Sequence, residues 1–194
     1  INPLFASCNG LDFHERQGEQ HLADTVSDVL ARIGAKYREH GIDETPFVIV
    51  KADAGTYGMG VMTVKSPDDV IGLNRKACNK MSVVKEGLQV SEVIVQEGVY
   101  TFETIGDAVA EPVIYMIDRH VVGGFYRVHE GRGVDENLNA PGMHFTPMTF
   151  DDACLPDLRC GPECSTNRLY AYGVVARLAQ LAASRELEAT APDA

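Results

Sequence analysis

Residues 47–65, FVIVKADAGTYGMGVMTVK, constrain the fold more than any other stretch. A β-branched apolar run, Phe47 to Val50, leads into Lys51. Three glycines (Gly55, Gly58, Gly60) then separate it from a second β-branched run, Val61 to Val64. Two such runs around a glycine loop predict an antiparallel hairpin with a long tip. Glycine has no Cβ, so the N–H groups of the tip can close on phosphate oxygens. Lys51, at the end of the entering strand, brings a point charge to the same oxygens. The stretch therefore predicts a nucleotide triphosphate site. An ordinary hairpin loop also tolerates glycine, and a lysine at a strand edge can simply face water. Three glycines within positions 55–60 favour a phosphate flap.

The rest of the chain supplies neighbours for this hairpin. Leu22, Val26, Val29, Leu30, Ile33 and Tyr37 recur at helical spacing over 19–40, and Gly41 ends the run. Residues 1–18 show no period. Ser66-Pro67-Asp68-Asp69 reads as a cap, a proline at the first helical position and acids near the positive end of the dipole, opening a helix to about Met81. Val93–Val95 reads as a strand ending in Gln96-Glu97-Gly98-Val99. Pro112–Ile117 and His120–Val128 form a second hairpin around Asp118-Arg119, with Gly123-Gly124 marking a bulge or a close backbone approach. Residues 129–166 are loop-rich, and 167–188 form a last helix whose tyrosines and leucines read as core packing. Strands that return directly on themselves predict an α+β fold with an antiparallel sheet, not a doubly wound parallel one.

The glycine loop fits no common phosphate motif. A P-loop needs its lysine after the glycines, at the start of a helix. A Rossmann turn also runs into a helix. A kinase-like loop would place its lysine on the return strand, where Lys65 stands, but no HRD or DFG follows. A lysine-ending strand, glycine flap, return strand, helix and a strand ending in a hinge match the ATP-grasp arrangement.

Six blocks occur in order: VKADAGTYGMGVMTV, LNRKACNKM, VIVQEGVYTFE, AEPVIYMIDRHVVGGFYRVH, NLNAPGM and RLYAYGVVARLAQLAA. Together they resemble the proteobacterial glutamate–cysteine ligases, which are ATP-grasp-like enzymes, over most of the chain to about residue 188. The resemblance implies that glutamate, cysteine and ATP, with Mg²⁺, give γ-glutamylcysteine through an acyl phosphate. It implies an ATP-grasp-like fold across 1–194, as the C-terminal part of a longer ligase. Lys51, Gly55, Thr56, Tyr57, Gly58 and Gly60 would then hold the phosphates. Gln96, Glu97 and Val99 would form the adenine hinge, mainly through backbone, with Glu97 near a ribose hydroxyl. Arg127, by its bidentate fork, suits a phosphate or a substrate carboxylate and is the catalytic candidate. His129 beside it reads as a surface or structural residue. Glu111, Asn137 and Asn139 are the candidate Mg²⁺ ligands, with Glu103 as a further acid. Related ligases carry Glu-x-Asn where this chain has Asn137-Leu138-Asn139, flanked by Asp135 and Glu136. A different ATP-grasp ligase, such as a glutathione synthetase-like enzyme, and a non-catalytic nucleotide-binding module remain alternatives.

Charge and cysteine content narrow the partners. The formal net charge of -11 disfavours nucleic acid and anionic membrane. The cluster Arg75-Lys76…Lys80 reads as a solvated helix face. Of five cysteines, Cys154, Cys160 and Cys164 share a loop without zinc spacing, which points to reduced thiols and a cytoplasmic enzyme. Partners are small molecules, and self-association is left open.

Overall fold

The computed structural model describes residues 3–53, 60–82, 89–148 and 168–191. It is a mixed fold of helices and antiparallel strands, arranged as two compact units. The first comprises Asn2–Tyr100 with Val134–Asn137, and the second Thr101–Gly133 with Leu138–Ala194.

The first unit is a four-stranded antiparallel sheet backed by a helix. Its strands are β1 (Phe5–Asn9), β2 (Val48–Ala52), β3 (Val61–Val64) and β4 (Glu92–Glu97), in the order β1-β4-β2-β3. The helix α1 (Glu19–His40) buries Leu22, Ala23, Val26, Val29 and Ile33 in a stripe at three- and four-residue spacing. Gly41, left-handed at φ 63°, ends it with its N–H bonded near the last turn. The stripe packs on Cys8, Val48, Val50, Ala52, Val93 and Val95, every second residue of the strands. Complete burial of one such side chain stabilises by about 1.5–3 kcal/mol. The opposite face carries Phe5, Ser7, Ile49, Lys51, Ile94 and Gln96, the other half of the same alternation.

Two expectations change here. Residues 5–9 are a strand despite their lack of period, because edge pairing to β4 and burial of the small Ala6 and Cys8 side suffice. The stretch from Ser66 to Met81 is not one helix. A single 3-10 turn, Pro67–Val70, has the capping box formed by Ser66 and Asp69. The chain then breaks at Gly72, φ 64°, and resumes as α2 (Arg75–Ser82). A left-handed residue cannot continue a right-handed helix.

The second unit has its own antiparallel sheet: β5 (Thr104–Ile105), β6 (Ala108–Ile117), β7 (His120–His129) and β8 (His144–Pro147), in sequence order. Asp118, at φ 52°, makes the tight turn between β6 and β7. The register shifts at Tyr115/Met116, opposite the Gly123 region, so the bulge read from the two glycines is present. Gly124 is also a close approach, since a Cβ there would meet Val113 O at 2.7 Å. The helix α3 (Arg168–Thr190) lies on this hairpin through Tyr172, packed edge-on to Tyr126, and through Gly173 against Val121. Its core role is smaller than the sequence implies. Val175, Leu178, Leu181 and Leu187 are exposed, because they fall on the side away from Tyr172, Gly173 and Ala176 or beyond the hairpin's end at Gln180. Among the described residues no helix is long and apolar enough to cross a membrane.

Candidate functional site

In the first unit, Lys51 lies on the sheet face that α1 does not cover. Ile49 pairs with Gln96 and Lys51 with Ile94, so Lys51 and Gln96 are diagonal neighbours on that face. The Lys51 ammonium donates to Gln96 Oε1 at 2.7 Å. Ala52 N donates to Gly60 O at 3.0 Å and Asp53 N to Glu92 O at 3.1 Å, which fixes both feet of the glycine loop. Gly60 is buried and left-handed at φ 61°, as the foot of such a loop requires. Gly55, Thr56, Tyr57 and Gly58, the flap itself, lie outside the described residues.

The end of β4 is held from three sides. Glu97 is 8% exposed. Its N–H donates to Leu4 O at 2.7 Å, and its carboxylate accepts from Leu4 N at 2.9 Å and from the Lys36 ammonium at 3.2 Å. The carboxylate thus ties the end of β4 to the residue before β1 and to α1. Gly98 follows because no Cβ fits: it would sit 2.1 Å from the Phe47 ring. Gly98 N donates to Phe47 O at 2.9 Å. Tyr100 closes the segment, with its hydroxyl donating to Thr45 O at 2.7 Å and its ring edge-on to Phe47. Burial, then the nearby Glu44, pushes the Tyr100 hydroxyl up in pKa, which keeps it a neutral donor. Between these anchors Val99 is 74% exposed.

The segment Val134–Asn137 attaches to β3, the return strand of the glycine hairpin. Thr63 Oγ1 donates to Asp135 O at 3.4 Å, and the Lys65 ammonium pairs with the Asp135 carboxylate. The Lys65 contact holds the Asp135 carboxyl below the ordinary value and raises Lys65. Leu138, completely buried, anchors the chain between Asn137 and Asn139.

In the second unit, Glu111 and Arg127 stand directly opposite on β6 and β7 and form an ion pair at 3.0 Å. The Arg127 Nε is buried without a partner. Phe125 and Phe145 pack edge-on beside this pair, with Tyr115 tilted against Phe125. His129 is 8% exposed, so it is not a surface residue: its ring accepts from Gly131 N at 3.1 Å and contacts Pro141 O at 3.1 Å, closing the base of the 131–142 excursion. Tyr172 sits beside Tyr126 and Glu103, and its burial, with these groups, pushes its hydroxyl well above the ordinary tyrosine value. Among the described residues no three His, Cys, Asp or Glu side chains form a ready metal cluster. Glu111, taken as a ligand, is engaged by Arg127.

Sequence reasoning missed Lys36 and the Leu4 backbone. A signal for Lys36 was present: it stands three after Ile33 and seven after Val29, where the buried stripe would continue with an apolar residue. Nothing in the sequence joins residue 36 to residue 97.

The sequence matches the family described as glutamate-cysteine ligase over residues 1–187. No curated protein gives a match. Among solved structures, a protein of Methylobacillus flagellatus KT assigned as a gamma-glutamylcysteine synthetase is 68% identical, with a TM-score of 0.78. The alignment covers 97% of this chain and 45% of that one, so the chain spans just under half of that relative's length. With the family matched over nearly all of its residues, this chain belongs to the glutamate–cysteine ligase family.

Proposed function

We propose that this chain forms the ATP-binding part of a cytoplasmic ligase that joins glutamate to cysteine. The γ-carboxylate oxygen of glutamate attacks the γ-phosphorus of ATP, the bond to ADP breaks, and an acyl phosphate forms. The cysteine amine then attacks the acyl carbon, phosphate leaves with the bridging oxygen, and the amine loses a proton. The observation that carries this reading is Lys51, held by Gln96 at 2.7 Å on the sheet face opposite α1, at the foot of the glycine loop.

The donor set suits a nucleotide. Lys51 supplies a positive charge to the phosphates, and the 55–60 loop supplies backbone N–H groups. The backbone at Val99 is left for the adenine edge by its exposure. The second unit, read by itself, offers Arg127, whose orphaned buried Nε is a donor for an anionic oxygen. Its partner Glu111 keeps the guanidinium oriented across the strands. Mg²⁺ takes hard oxygen ligands and keeps several waters, and Glu111, Asn137 and Asn139 each carry an oxygen of that type. When bound, the metal neutralises charge on the phosphates. The described cysteines, Cys8 and Cys78, are free buried thiols, in keeping with a reducing compartment.

Calorimetry with Mg·ATP, together with phosphate release in the presence of glutamate and cysteine, tests the reading. Saturable heat is expected for the wild-type chain and its loss in Lys51→Ala. Unchanged binding by Lys51→Ala would overturn the phosphate role. Phosphate release that ignores both amino acids would point to a different ligase or a binding module.

A further inference from the structure

We propose that Lys36 is a positioning residue for nucleotide selectivity: through Glu97 it fixes the backbone of Gln96–Val99, against which an adenine edge is read. The inference rests on the ATP reading above and goes beyond it by assigning a task to a helix residue outside the nucleotide contacts.

The geometry is that of a clamp. Lys36 leaves the buried stripe of α1 and reaches both carboxylate oxygens of Glu97, at 3.4 and 3.2 Å. Glu97 in turn holds Leu4 through both its own N–H and its carboxylate. A carboxylate 9% exposed is costly to bury unless it is paired and hydrogen-bonded, and Lys36 and Leu4 supply those contacts. One residue on, Gly98 is pressed on Phe47, and two further on Tyr100 is tied to Thr45. Every residue around Val99 is therefore anchored, while Val99 itself stays open. That arrangement is what discrimination between purines needs. Adenine offers an acceptor at N1 and a donor at N6, and guanine reverses both. A backbone held in place cannot shift to satisfy the wrong edge, whereas one that can slide pairs with either. Lys36 is the anchor that can be changed without cutting into the sheet, since its side chain is 41% exposed.

The test is the ratio of Mg·ATP to Mg·GTP affinity by calorimetry, with thermal unfolding measured in parallel. Wild type should prefer Mg·ATP. Lys36→Met should lose about tenfold of that preference, the equivalent of one net hydrogen bond, and Lys36→Arg should keep it. If Lys36→Met does not fold, the double variant Lys36→Met/Glu97→Gln removes both charges and should show the same loss. A fall in melting temperature with an unchanged ratio would overturn the proposal, because Lys36 would then be structural only. Wild type binding both nucleotides equally would overturn it while leaving the ATP reading standing. Wild type binding neither would overturn both.

Discussion

A glycine and the ring it faces show how one residue shapes this site. Gly98 is not needed for a left-handed turn, because its φ is not positive. It is needed because Phe47, 1% exposed, fills the space where a Cβ would stand. Phe47 cannot retreat, since Tyr100 packs edge-on against it at a centroid distance of 4.9 Å. Gly98→Ala should therefore lower stability by about 1–3 kcal/mol through overpacking, read as a lower denaturation midpoint with an unchanged slope. A second variant, Gly98→Ala with Phe47→Leu, should recover part of the loss. If the single variant unfolds like wild type, the close approach does not constrain the segment. Lys51 illustrates the same scale from the side of charge: its hydrogen bond to Gln96 aims an ammonium that would otherwise sweep through several rotamers.

At the scale of elements, the segment that lands on β3 behaves as a strap. Its hold includes the ion pair of Lys65 and Asp135 and a hydroxyl contact from Thr63. The Asp135 carboxyl is depressed in the folded chain, first by its hydrogen bond from Lys65. A depressed carboxyl contributes stability above its unfolded value and loses it as pH falls through the folded one. Asp135→Asn should therefore melt below wild type near neutral pH, and the gap should close as pH falls below about 4. A gap that persists in acid would mean the pair does not hold the strap. Lys65 is exposed and Asp135 partly so, and added salt should therefore shrink the gap as well. Elements of this kind were the least legible in the sequence. The helix α1 stood out because its buried face repeats at a fixed period, and both hairpins because apolar runs flank a glycine loop or a tight turn. The strands β1, β5 and β8 are short edge or near-edge strands, stabilised by pairing to one neighbour, and leave little pattern. The Lys51 position followed from its place after a β-branched run. The Lys36–Glu97 contact, spanning 61 residues, could not, because no local rule brings those two together. The exposed leucines of α3 misled for the converse reason: a helix can be apolar all round and still lay only one side on its sheet.

The whole molecule adds a field to these local contacts. The chain carries 28 acids against 17 lysines and arginines, a formal charge of -11. Mg·ATP is itself an anion, so long-range repulsion opposes its approach, while Lys51 attracts it at short range. The two act over different distances. Salt at about 0.1 M screens beyond about 10 Å, which removes the repulsion of the distant surface before it weakens the contact at Lys51. The association rate of Mg·ATP should therefore rise as ionic strength is raised from about 20 to 150 mM, and the dissociation rate should change little. Stopped-flow with a fluorescent ATP analogue separates the two rates. A rate that falls with salt would show that the cations around the site outweigh the acidic surface even at a distance. In that case neutralising Lys51 should reduce the salt dependence, whereas under surface repulsion Lys51→Met should leave the upward slope in place and act mainly on dissociation.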